Sequence, residues 1–75
     1  MRVIYLFQTS GQRDQFVNRI YESGAYVKQS GDFSNGFRNF CMYNGLYEVE
    51  LEPSYIRDGN AIRMIAGLCG GQLSN

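Results

Sequence analysis

Residues 40–51, Phe-Cys-Met-Tyr-Asn-Gly-Leu-Tyr-Glu-Val-Glu-Leu (FCMYNGLYEVEL), decide the fold of this chain. Asn44-Gly45 lies between two alternating runs, and a tight type I′ turn needs positive φ at both of its central positions. Asparagine and glycine meet that need at least cost. A two-residue loop sets Tyr43 against Leu46, Met42 against Tyr47, Cys41 against Glu48, Phe40 against Val49 and Asn39 against Glu50. One face of the hairpin then carries Phe40, Met42, Tyr47, Val49 and Leu51. The other carries Asn39, Cys41, Tyr43, Leu46, Glu48 and Glu50, with Glu52 extending the row. A slip of one residue would mix the two sets, so the pattern itself fixes the register. The first face is expected to be core, and the second to face water.

Upstream, Val3 to Phe7 is an apolar run of β-branched and aromatic residues, the signature of a central strand. Thr9 followed by Gln12 has the form of a capping box, so a helix is expected to start there. Phe16, Val17, Ile20 and Tyr21 make one amphipathic stripe, and Gly24 supplies a left-handed stop. Ala25–Gln29 is a candidate short strand. Ser30 to Gly36 has turn chemistry throughout and reads as a loop.

Downstream, Pro53 ends the strand because it has no N–H to donate. Ile62, Ile65, Ala66 and Cys69 have helical spacing, with Asp58 or Asn60 as cap and Gly70-Gly71 as stop. Gln72–Asn75 is expected to be a frayed tail. The resulting order is β-α-(β)-β-β-α. It predicts a small single-domain α+β sandwich over residues 1–71, with a mainly antiparallel sheet of three or four strands. Both helices are expected on the Phe40/Val49 face.

With 75 residues, the chain buries only roughly 60–65% of its unfolded surface, so its stability margin is thin. Its 44% hydrophobic content is that of a globular protein. The longest apolar run is far too short to span a bilayer, and Gln8 interrupts any signal-peptide pattern. A soluble, cytoplasmic protein is expected. Seven basic residues balance seven acidic ones, so no net field calls for a polyanionic partner. Six of the seven cations are arginine, which suits forked pairing with carboxylate or phosphate.

The catalytic inventory is poor. There is no histidine, the usual base near neutral pH. Cys41 lacks an activating environment in sequence, and Cys69 falls on an apolar stripe where an inert thiol belongs. The two are expected to remain free thiols on opposite sides of the sheet. Their spacing matches no zinc pattern, and a strand row of glutamates lacks the looped carbonyl ligands of a calcium site. No enzyme activity, metal or cofactor is expected.

Gly36-Phe37-Arg38-Asn39-Phe40-Cys41-Met42-Tyr43 is loosely similar to the glycine–aromatic strand of an RNA-recognition module, and Ile4–Phe7 to its partner strand. Three departures keep the chain out of that family. Phe37 and Phe40 are spaced to point to opposite faces, no sequence remains for a last strand, and three glutamates would repel phosphate. Single-strand binding through sheet aromatics with Arg13, Arg19, Phe37 and Arg38 is therefore the alternative reading.

The preferred one is a non-enzymatic protein-binding module, an inhibitor, antitoxin or adaptor such as phages carry. Its expected contact residues are Tyr43, Leu46, Glu48, Glu50 and Glu52, facing a partner with a basic surface. Self-association is a second form of the same reading, since a thin core gains from an interface.

Overall fold

The run VIYLF forms β1, Val3–Phe7, in a computed structural model that describes residues 3–27, 42, 43 and 45–74. Helix α1, Ser10–Glu22, follows at once. Its cap is the predicted Thr9, whose Oγ1 accepts the Gln12 N–H at 3.1 Å. The return arm differs from a capping box: Gln12 Oε1 accepts from the Gln8 N–H at 3.2 Å, one residue upstream of the usual donor. Phe16, Val17 and Ile20 are buried, and Gly24 ends the helix at φ 79°.

The chain after Gly24 departs from the expected strand. Tyr26 makes one antiparallel bridge to Ile56. The Val27 N–H donates to the Tyr55 carbonyl at 2.8 Å, and the Arg57 N–H to the Ala25 carbonyl at 2.8 Å. Residues 25–27 thus clamp 55–57 together and add no strand to the sheet. Positions 28 and 29, the 30–36 loop and the hairpin pairs beyond Met42 lie outside the described residues.

Strands β2, Met42–Tyr43, and β3, Leu46–Leu51, keep the predicted register, with Met42 opposite Tyr47 and Tyr43 opposite Leu46. Gly45 has the positive φ, 79°, that the turn demands. After a 3-10 turn at Pro53–Tyr55 comes α2, Gly59–Leu68, with Asp58 as its cap. The Asp58 carboxylate accepts the Ala61 N–H at 3.1 Å.

The end of α2 is a Schellman motif. The Gly71 N–H donates to the Ala66 carbonyl at 2.7 Å, the Gly70 N–H to Gly67 at 3.2 Å, and Gly70 is left-handed at φ 81°. That turn sends the chain back along the sheet as β4, Gln72–Leu73. Tyr5 pairs with Leu73 and Leu6 with Gln72, and the Ser74 N–H donates to the Ile4 carbonyl at 2.8 Å. The expected frayed tail is therefore an edge strand through Leu73. A segment held by main-chain bonds, with side chains left exposed, has no alternation to announce it.

The sheet order is β2-β3-β1-β4, with every neighbour antiparallel. With helices after β1 and β3, the element order β-α-β-β-α-β is the split βαβ arrangement. Both helices lie on one face, as expected. Tyr5, Phe7, Val49 and Leu51 from the sheet meet Phe16, Val17 and Ile20 of α1 and Ile62, Ala66 and Cys69 at α2 in one buried cluster. Among the described residues, no helix is long and apolar enough to cross a membrane.

Candidate functional site

The face of the sheet turned away from the helices is set by register. Leu6 stands opposite Glu48 and Ile4 opposite Glu50, so β1 and β3 contribute Ile4, Leu6, Leu46, Glu48 and Glu50 to it. Gln72, opposite Leu6, adds the β4 edge. Tyr43 enters the same ladder opposite Leu46. This open face is apolar along β1 and acidic along β3.

Its exposure corrects the expectation of a water-facing carboxylate row. Glu50 is only 6% exposed, while Leu46 and Glu48 are half-buried. Glu50 sits on β3, an inner strand of the sheet, directly across from Ile4 of β1. Alternation assigns a residue to a face and says nothing of how deeply that face is covered. A buried carboxylate is a structural commitment, because taking it out of water costs free energy that its surroundings must offset. Glu52 also leaves the row. Its strand ends at Leu51, and its N–H donates to the Tyr26 hydroxyl at 2.8 Å.

The arginines of the nucleic-acid reading are placed elsewhere. Arg13 lies on α1, in the helical layer, with its side chain 17% exposed. Its Nη2 is 3.1 Å from Asp14 Oδ1, and the guanidinium centre stands 5.2 Å from the middle of the Tyr47 ring. Arg19, in the last turn of α1, is exposed. Neither is on the open face, and Phe37 and Arg38 lie outside the described residues. Of the earlier objections to an RNA-recognition module, the missing last strand falls, since β4 supplies it. A different one takes its place. The similar stretch leads into the edge strand β2, whereas β3 pairs with β1. The aromatic residues of β1 and β3 (Tyr5, Phe7 and Tyr47) occupy the helix-facing positions.

These rings build the interior. Phe16 lies 5.3 Å from Tyr5 and 4.9 Å from Phe7, centre to centre, in tilted pairs. A second group joins Tyr26 to Tyr21 at 5.9 Å and to Tyr55 at 6.1 Å, both edge-on. Burial pushes the Tyr26 phenol up to about 12, against a smaller downward pull from its hydrogen bond to the Glu52 backbone. Burial also raises Tyr5, opposed by the Arg63 guanidinium, which donates to its hydroxyl. Cys69 is a free, buried thiol raised by burial, with Arg19 pulling weakly the other way. Such a thiol is a poor nucleophile. Among the described residues, no three His, Cys, Asp or Glu side chains come together to hold a metal ion.

Two features escaped the sequence reading. Tyr26 is a core residue at 1% exposure, hinted at only by the apolar trio after Gly24. Met64 and Leu68 are 66% and 71% exposed on α2. They stand off the buried stripe at i, i+4 spacing, which was visible in the sequence. Comparison with protein-family models, curated proteins and solved structures finds no match to this chain. The functional reading therefore rests on its own residues, because this topology carries many unrelated functions.

Proposed function

We propose that the protein is a non-enzymatic protein-binding module that presents the open face of its sheet to a partner. The observation that carries this reading is the sorting of side chains on β1 and β3. Aromatic residues occupy the helix side, and Ile4, Leu6, Leu46 and Glu48 occupy the open side. Along β1 and β3 this face offers no rings on which bases can stack, and its carboxylates repel a phosphate chain. It suits a partner with an apolar centre and arginine or lysine at the rim. In this reading Tyr43, Leu46 and Glu48 are contact residues, and Glu52, which leaves the row, is not. Glu50 serves from within, holding the face in shape.

The test compares the wild type with Leu46→Asp and Glu48→Lys for capture of protein from the native host, with circular dichroism as the control on folding. Both variants should keep the fold and lose the captured protein. A fluorescent single-stranded oligonucleotide titrated at two salt concentrations gives the contrary arm. Salt-sensitive micromolar binding there would replace this proposal with the nucleic-acid reading.

A further inference from the structure

Asp58 and Gly59, where the chain enters α2, are both exposed. Of the three aspartates, at positions 14, 32 and 58, only Asp58 precedes a glycine. No conformational need keeps glycine there. Its φ is not left-handed, and a Cβ built on it meets Ile56 Cγ2 at 4.0 Å, an ordinary contact. Alanine would fit and would favour the helix. What glycine provides is an unshielded main-chain nitrogen next to a carboxyl group.

We propose that Asp58–Gly59 is a site of spontaneous covalent modification, the conversion of aspartate to isoaspartate, which the folded start of α2 holds in check. The Gly59 nitrogen bonds to Cγ of the Asp58 carboxyl group, and its proton leaves with the carboxyl OH as water. A five-membered succinimide results. Water then breaks one of the two C–N bonds in the ring. Breaking the bond to Cγ restores aspartate. Breaking the bond to the main-chain carbonyl carbon leaves the chain running through Cγ, as isoaspartate. The net change is an isomerisation, with no gain or loss of mass and no oxidant.

Ring closure needs Cβ of Asp58 and the Gly59 nitrogen on the same side of the Cα–C bond. At ψ 91° in an L residue they lie on nearly opposite sides. Three hydrogen bonds hold the peptide that way. The Asp58 carboxylate accepts the Ala61 N–H at 3.1 Å, and the Asp58 N–H donates to the Ala25 carbonyl at 3.2 Å. The Asp58 carbonyl accepts the N–H of Ile62 at 3.1 Å, and Ile62 is a core residue. The reaction therefore runs from an opened first turn of α2, at a rate set by how much of the protein is open. Isoaspartate adds one atom to the main chain and moves the carboxylate off the cap, so the Ala61 N–H loses its acceptor. This inference stands apart from the protein-binding reading, since it concerns the helix layer and not the open sheet face.

The test incubates the whole chain for weeks in native buffer and in unfolding guanidinium chloride. Cleavage after Arg57 and Arg63 releases the peptide 58–63, which is followed by chromatography and mass. A second peak of unchanged mass, with the fragment ions of isoaspartate, should grow in both and roughly tenfold faster or more in the denaturant. Deamidation of Asn60 in the same peptide raises the mass and is told apart by it. Gly59→Ala should keep the fold by circular dichroism and slow the reaction several-fold in the denaturant, where no fold protects either chain. Aged wild type should melt lower than fresh protein. Absence of the peak in denaturant overturns the site. A native rate equal to the denatured one overturns control by the fold, and equal rates for wild type and Gly59→Ala overturn the part given to the glycine.

Discussion

The Tyr26 hydroxyl accepts a hydrogen bond from the Glu52 main-chain N–H at 2.8 Å, joining the segment after α1 to the end of β3. Removing that oxygen takes away the hydroxyl partner of a part-buried donor. Tyr26→Phe should therefore cost about 1–2 kcal/mol, read from the urea midpoint at neutral pH. No change there would mean that water replaces the hydroxyl without penalty.

The same phenol makes stability depend on alkaline pH. Its ordinary pKa is 10.0 and its folded value about 12, so below pH 10 it is protonated in both states. Above that point the unfolded chain ionises first. Stability is thus complete below about pH 10 and declines through the window up to about 12. Burial raises Tyr5 and Tyr21 in the same direction. Urea midpoints taken from neutrality to about pH 11 should fall at the alkaline end, and less steeply for Tyr26→Phe than for wild type.

Val49 and Glu50 are consecutive on β3 and buried on opposite faces, at 0% and 6% exposure. Val49→Ala removes core volume and should cost roughly 1–3 kcal/mol. Glu50→Ala, which for a solvated strand position would cost under about 0.5 kcal/mol, should here cost a comparable 1–3 kcal/mol. A midpoint unchanged by Glu50→Ala would show that its burial does no structural service.

Gly71 is held to glycine by the Phe7 ring, which a Cβ at that position would strike. Phe7 is itself wholly buried and has little room to move. Gly71→Ala should cost roughly 1–3 kcal/mol through forced repacking. Loss of amide protection at Leu73 and Ser74, measured by hydrogen exchange, would trace the damage to β4.

Cys69 should resist a thiol reagent in the native state and react at once in denaturant, since the buried thiol is raised and poorly accessible. Fast native labelling at Cys69, located by peptide mass, would contradict its place in the core.

The parts legible in the sequence were those with a strong local cause. Asn44-Gly45 announces the turn and its register, Thr9 and Asp58 announce the helix starts, and Gly24 and Gly70 announce the ends. Strand β4 was illegible because it depends on pairing with a strand almost the whole chain away and buries little side-chain surface. Tyr26 misled for a similar reason: its partners, Glu52 and Ile56, are distant in sequence. Of the candidate site, alternation assigned Leu46, Glu48 and Glu50 to one face correctly. Depth was invisible to it, since covering depends on tertiary neighbours. Arg13 was read as available charge because nothing in sequence joins it to Tyr47.

The position of β1 in the middle of the sheet also governs how the chain reaches its native state. Both of its partners, β3 and β4, come from the second half of the described sequence. On the ribosome the segment Val3–Phe7 is made before both of its partners and has to wait, hydrophobic and without them, until residues beyond 46 have emerged. Pairing of Tyr5 with Leu73 then closes a loop of nearly the whole chain, and the entropy of that closure precedes the contacts that repay it. Folding should accordingly fall in the slower, millisecond-or-longer range of small mixed domains. During synthesis, the exposed VIYLF segment is the stretch most open to chaperones and to aggregation.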